Sequence, residues 1–519
     1  MNAASALARL EQIVDRSAVA PRIEALLPVG VRPRQLSVRT LLLGMLLVAV
    51  EGRPAHLRRV HEALTALPEP ERRRLGVIAA WRDGEHPLTY RQLERTFSLV
   101  VRALAREKPN GTPSQTLSDV LDALLEASVK VLGEPASSSY AVDWTDHETW
   151  SRPPATKRED PDSAQPVPDD PAQQTPHQRC ADPEAAWGHR RGDAPGHKDE
   201  AFFGYYLQAA TIVCDEHGPK VPELVRRILL SSCDVDPPRA FVPVLERMAA
   251  GVELGDVLAD SGYSYRVAQD WALPVRRLGA SLVQDLHPGD QGMQGTHEGA
   301  IRFNGRLYCP ATPKALFELR PLARGADAEQ TEAHDRLCQE LSSYKLSSIT
   351  GYDCDGYHRV ACPAAQGKLR CPLRPASMQL PHTRPQVLRA PQHPPTCCQQ
   401  QTITVPASVN AKTAQKHDYP SHAHRRSYAR RSGAERTYAT VKDPATNDLS
   451  RGWCRLTGLT AIALFTASVF IARNLRIADS FAARQAEDER RAASGLPPRQ
   501  RKRRRQTAGD LIGAANAPP

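Results

Sequence analysis

Three carboxylates carry the clearest chemical signal. The segment Tyr140-Ala-Val-Asp-Trp-Thr has the alternation of a short strand and ends by delivering Asp143, while Val257–Tyr263 is a second short apolar strand that delivers Asp260 into a glycine turn. In an α/β sheet, side chains at strand ends meet along one edge, so these two acids are expected side by side although 116 residues intervene. Two bare carboxylates at close range repel, and a divalent cation relieves that repulsion. Hard Mg2+ or Mn2+ suits such oxygen donors. Two ions about 4 Å apart can activate a water and stabilise the leaving oxygen of a phosphodiester. Taken singly, each Asp also reads as a turn or cap residue.

A third element joins them. Tyr428, Arg431, Glu435 and Lys442 stand as Tyr-x2-Arg-x3-Glu-x6-Lys. Offsets of three, seven and fourteen put all four on one face of a helix, with Pro444 stopping it just beyond. Such a face presents Glu435 as a metal ligand between Arg431 and Lys442, two cations able to grip phosphates. The bland alternative is a solvated charged helix. Tyrosine can also act as a nucleophile, but a Tyr428 beside Arg431 better fits a phosphate or base contact.

With Asp143 in AVDWTDHETWSRP and Asp260 in VLADSGYS, this tetrad resembles the DDE transposases of bacterial insertion sequences, in the group marked by the Tyr-x2-Arg-x3-Glu-x6-Lys pattern. The similarity spans about residues 140–475. It implies an α/β fold with a ribonuclease-H-like mixed-sheet core, Asp143, Asp260 and Glu435 as both catalytic and metal-binding triad, two Mg2+ or Mn2+ ions per site, and DNA contacts from Tyr428, Arg431 and Lys442. It further implies cleavage at element ends, transfer of the freed 3′-hydroxyl to target DNA, terminal inverted repeats and target DNA as partners, and a homodimer in the synaptic complex. The family carries a large insertion between the second Asp and the Glu, and 174 residues separate them here. A catalytically silent DNA-binding descendant of a transposase is the alternative, and a membrane-attached basic protein a third.

Seven of the eleven cysteines fall in residues 287–420. Cys354, His358, Cys362 and Cys371 form a candidate soft ligand set for structural zinc, although the spacings lack a tight CxxC knuckle and unligated thiols are the competing reading. His287 and His297 read as turn residues.

The elements that must position these groups follow from pattern. Residues 1–133 form a helical N-terminal region suited to DNA binding or dimerisation, with a capping box at Thr89 and Gln92 and a stripe through Leu117, Leu121, Leu124 and Leu125. Residues 134–286 form the first part of the core, with Phe202–Val213 as a buried strand and Pro222–Ser231 and Pro238–Ala250 as helices. Inside this part, residues 151–200 hold nine Pro and a single aliphatic side chain larger than Ala, and are expected to be disordered. Residues 287–420 form an irregular insertion, 421–480 the last part of the core, and 481–519 a basic disordered tail with Arg501–Arg505 as its cationic block.

Composition sets the outer limits. With 519 residues, 41% hydrophobic and 24% charged, the chain is globular in usage, which excludes a collagen, a wholly disordered protein and a polytopic membrane protein. The net charge of +10 is localised, because residues 421–505 hold 19 Lys and Arg against 7 Asp and Glu, a balance of +12. A cationic region of this kind favours nucleic acid. The apolar runs Leu41–Val50 and Leu456–Ala472 read as buried helices rather than spans. The mixed-charge opening and odd cysteine count suit a cytoplasmic protein with reduced thiols, held on the bacterial nucleoid when bound to DNA.

Overall fold

The computed structural model describes residues 3–29, 34–81, 84–106, 111–153, 180–190, 200–323, 325–353, 356–497 and 499. Disorder expected for 154–179 and 191–199, and the Arg501–Arg505 block, falls outside the described residues. The fold is mixed α/β, with a mixed sheet preceded by a helical N-terminal region.

That region is built on α1 (Ala3–Ser17), α2 (Val38–Val50), α3 (Tyr90–Leu104) and α4 (Gln115–Leu132). Side-chain caps set their starts. Ser37 accepts from the Thr40 N–H, Ser114 from that of Leu117, and both bonds of the Thr89–Gln92 capping box are present. The region is not purely helical, because Ile78–Trp81 and Gly84–Pro87 pair as an antiparallel hairpin.

The sheet contains β1 (Ser139–Glu148), β2 (Ala186–Arg190), β3 (Glu200–Val213), β4 (Val225–Ser232), β5 (Asp256–Ala259) and β6 (Ser281–Gln284), with α5 (Pro237–Ala249) between β4 and β5. Its order is β2-β3-β1-β5-β6, and β4 pairs with β3 on the edge shared with β2. β1, β3 and β4 are antiparallel neighbours, whereas β1–β5 and β5–β6 are parallel.

Three expectations change here. Residues 222–231 are not a helix: Val225-Arg-Arg-Ile-Leu-Leu-Ser-Ser is a strand buried along its whole length. The two arginines that suggest a polar helix face are instead neutralised inside, Arg226 by Glu126 at 2.8 Å and Arg227 by the same carboxylate at 2.8 Å. Within 151–200, residues 186–190 order as an edge strand because β3 offers them a ladder and because the fully buried Asp182 accepts from Thr149, from Tyr205 at 2.6 Å and from the Gly458 N–H. β1 also continues past Asp143 to Glu148, so that acid lies mid-strand rather than at an end.

The insertion is more regular than expected. It contains β7 (Met293–His297), β8 (Ala300–Phe303) and β9 (Arg306–Tyr308) in one small sheet, α6 (Ala328–Ser343), and β10 (Ser347–Ser348), β11 (His358–Ala361) and β12 (Thr402–Val405) in another. The chain then returns through α7 (His422–Tyr428), one 3-10 turn (Ala429–Arg431) and α8 (Ser432–Lys442), and closes with α9 (Leu459–Ala493). The tail expected from residue 481 is therefore helical as far as 493.

Alternation along β3 faces Ala210 and Ile212 toward α5, and Leu207 and Ala209 toward the N-terminal helices and α9. Ala141 and Leu258 pack with Ala434 of α8. Among the described residues α9 is the one helix long and apolar enough to cross a membrane, and its most apolar window is 83% buried in the protein.

Candidate active site

The register of the two central parallel strands pairs Tyr140 with Val257 and Ala141 with Leu258. Continuing it by two residues sets Asp143 opposite Asp260. Asp260 caps the single turn Ser261–Ser264, accepting the Gly262 N–H at 2.9 Å. The turn is locked onto β1 by close packing. A Cβ on Gly262 would lie 2.4 Å from Trp144 Cη2, so only glycine fits. The Tyr263 ring meets Trp144 at 4.7 Å and Trp271 at 4.5 Å, and its hydroxyl donates to Gln208 at 3.2 Å.

The third acid arrives on α8. Tyr438 donates its hydroxyl to the Asp143 carbonyl at 2.7 Å and to the Leu207 carbonyl at 3.1 Å, which fixes the helix across β1 and β3. Gly433 permits the close approach to Val213, where an added Cβ would sit 2.5 Å from Cγ1. The turn before α8 is tied down as well, because Arg430 donates to the buried Asp256 of β5 at 2.7 Å.

Arg431 links the acids. Its Nη1 donates to Asp143 Oδ2 at 3.1 Å and its Nη2 to Glu435. Burial, then the charge of Asp260, push the Asp143 carboxyl up to about 7, with Arg431 and the Trp144 N–H opposing. Burial also raises Asp260, again opposed by Arg431, while Asp285 adds to the rise. A cluster of carboxylates whose mutual repulsion is only partly offset by one guanidinium is the donor set that hard divalent cations satisfy. Among the described residues, however, the three acids do not bring ligand atoms within 4.8 Å of one another, and Glu435 remains more than half exposed.

The other expected residues are distributed as follows. Tyr428 stacks on His424 with ring centroids 5.6 Å apart and lies under the Arg431 guanidinium at 5.7 Å. Burial pushes its phenol well above the ordinary value. Lys442 does not reach the acids, and donates instead to Thr145 at 2.6 Å and Asp146 at 3.0 Å. His287 caps a turn through Gly289, as expected, and His297 bonds to the Thr404 carbonyl.

The proposed zinc set does not assemble. Cys354 lies outside the described residues. Residues 358–361 are extended, so at about 3.3 Å per residue the Cα atoms of His358 and Cys362 stand roughly 13 Å apart, and the x3 spacing would bring them together only on a helix. His358 packs against Tyr352 at 4.6 Å.

No family model, curated protein or solved structure matches this chain. Its chemistry therefore rests on the residues themselves, and several of these escape a motif reading. Asp285 follows β6, accepts from the Tyr419 hydroxyl at 2.7 Å and bears on Asp260. Its signal was present, since the short strand segment Ser281-Leu-Val-Gln is followed at once by an acid, as Ala259 is by Asp260. Tyr438 and Arg430 carry no comparable signal, because their work is done through backbone and sheet contacts formed only in the fold.

Proposed function

We propose that this chain is a DNA transposase of the DDE type, which cleaves at element ends and transfers the freed 3′-hydroxyl into target DNA. The reading rests chiefly on the juxtaposition of Asp143 and Asp260 on neighbouring parallel strands, with Glu435 tethered to Asp143 through Arg431. The topology supports it. Antiparallel β1, β3 and β4 are continued by parallel β5 and β6, with the helix bearing the third acid across β1, which is the arrangement a ribonuclease-H-like core requires.

Asp143, Asp260 and Glu435 would hold Mg2+ or Mn2+: their oxygens are the donors such ions take, and Glu435 would have to close in from its exposed position. When bound, two such ions supply Lewis-acid activation of water or a 3′-hydroxyl and neutralise the departing oxygen. The protein's own groups do the positioning. Arg431 is close enough to the acids to exchange a carboxylate for a phosphate oxygen as DNA enters. Tyr428, in contact with both His424 and Arg431, keeps a phenol held protonated, so it serves contact rather than covalent attack. Lys442 and Arg190 meet at Asp146 further along β1, where a phosphate oxygen would compete with that carboxylate and Glu148 for them. The cationic C-terminal section supplies salt-sensitive affinity for the duplex, and two element ends call for two copies of the site, hence a homodimer.

A second reading, a silent DNA-binding descendant, is favoured by Arg431 itself, which in that case permanently takes the place of the cation. Supercoiled plasmid incubated with the full chain and Mg2+ or Mn2+ separates the two. Nicking is expected, lost in Asp143→Ala and Glu435→Ala while both variants still retard DNA on a gel. Binding without nicking under either metal leaves the silent reading standing, and nicking that persists in both variants removes the triad.

A further inference from the structure

We propose that Cys309, Cys362, Cys371 and Cys398 bind one structural Zn2+ that staples the 287–420 insertion together. This site is separate from the carboxylate cluster and does not depend on the nuclease reading.

Four distant segments contribute. Cys309 follows β9, Cys362 follows β11, Cys371 opens the next turn, and Cys398 lies in the short helix Thr396–Gln399. All four are buried and free of disulfides. Cys309, Cys362 and Cys371 share one apolar cluster with Phe303, Leu316 and Val387. Cys397 and Cys398 belong to the adjoining cluster around Val360 and Ile403, and Leu373 packs against both.

The local backbone is built for thiolates. Three of the four occur as Cys-Pro, at residues 309, 362 and 371. Each opens a tight turn: the Thr312 N–H donates to the Cys309 carbonyl at 3.0 Å, Gln366 to Cys362 at 3.2 Å and Arg374 to Cys371 at 2.9 Å. Within two of these turns the N–H two residues on points at the sulfur, Ala311 to Cys309 and Leu373 to Cys371. An N–H donated to sulfur favours the ionised form, which is the form that binds metal. The sulfurs also sense one another. Burial raises Cys309 up to about 12, and the neighbouring Cys398, Cys362 and Cys371 add to the rise. In the vicinal pair Cys398 is the easier to ionise, since it accepts from Cys397 and lies near Arg374. Four buried, disulfide-free sulfurs, three in one cluster and the fourth in the cluster beside it, form the donor set that a tetrahedral soft cation takes.

The insertion has use for a staple. Its strands are two to five residues long, and its apolar side chains divide between two clusters, so burial alone contributes little. No three of the sulfurs lie within 4.8 Å of one another, and Zn–S bonds of about 2.3 Å would draw the two clusters together. The group His334, Asp335 and Cys338 is closer-set but already satisfied, because Arg425 contacts His334 Nδ1 at 3.1 Å and donates to Asp335 at 2.7 Å.

The test is metal content of the full chain after exhaustive dialysis, by elemental analysis, with cobalt exchange on the same protein. One zinc per chain is expected, and the cobalt form should show thiolate charge-transfer bands with the strong visible bands of a tetrahedral site. Cys362→Ser and Cys371→Ser should each lower zinc at least tenfold, whereas Cys338→Ser and Cys214→Ser retain it. A zinc-free wild-type chain, iron in place of zinc, a cobalt spectrum without thiolate bands, or zinc lost with Cys338 but kept with Cys362 would each overturn the proposal. The cobalt spectrum needs no variant, so a misfolded mutant does not blunt the test.

Discussion

Arg431 donates to Asp143 at 3.1 Å and also to Glu435, so a single guanidinium spans two acids that reach the site from a strand and a helix 292 residues apart. Removing it leaves only backbone N–H groups to oppose the rise at Asp143 and Asp260, which drives both carboxyls further up. Arg431→Ala should therefore abolish most cleavage and move the acid limb of the residual pH–rate profile above its wild-type position. A profile that keeps its position would show that Arg431 does not tune the acids.

Stability should depend on pH through the same pair. A carboxyl raised in the fold contributes stability that is complete below its unfolded pKa near 4 and lost as pH rises through about 7. The shift corresponds to roughly 4 kcal/mol at most. The melting temperature of metal-free protein should fall between pH 5 and pH 8, and Asp143→Asn should flatten that slope. Added Mg2+ should raise the melting temperature at pH 8 and do little at pH 5. An unchanged slope in Asp143→Asn would place the titration elsewhere.

Tyr438→Phe deletes one hydroxyl and strips a hydrogen bond from two carbonyls, those of Asp143 and Leu207. A loss of about 1–3 kcal/mol in denaturant unfolding is expected. Cleavage should fall by more than that destabilisation explains, because α8 loses its link to the strand carrying Asp143.

Gly262→Ala drives a methyl group into the Trp144 ring. Overpacking of this kind costs about 1–3 kcal/mol, and the Asp260 turn should shift with it. Adding Trp144→Leu should recover part of the stability, a coupling readable in a double-mutant cycle. Strict additivity would mean that the two side chains do not meet.

Asp182→Ala should be among the most damaging substitutions remote from the acids. It leaves Tyr205, Thr149 and the Gly458 N–H without their shared acceptor in a fully buried position, and a loss of about 3 kcal/mol or more in thermal or chemical unfolding follows. A near-neutral result would mean that residues 180–190 do not hold β2 in place.

The sequence made the helices and the acids visible for different reasons. Thr89 and Gln92, the α4 stripe and the apolar start of α9 are local patterns, and local energetics preserve them. Asp143 and Asp260 were legible because each follows a short apolar run; Tyr428, Arg431 and Glu435, expected on one continuous helix, instead lie on α7, a 3-10 turn and α8, and Arg431 still reaches both its neighbours because these elements follow one another without a break. Lys442 shares that helix but ends at Asp146, since α8 crosses β1 and its far end lies past the acids. Val225–Ser232 misled because buried charge looks like a polar helix face until Glu126 is brought to it from α4.

The buried half of α9 also bears on how the chain is made. Leu464, Phe465 and Val469 complete the same core as Leu42, Leu46 and Leu121, and Asn474 bridges Ser128 to the backbone of Val225. The N-terminal helices therefore complete their core only with a helix more than 300 residues further along the chain. Without it their apolar faces lie open, so a chain truncated before that helix is expected to lose solubility rather than to leave a smaller folded protein.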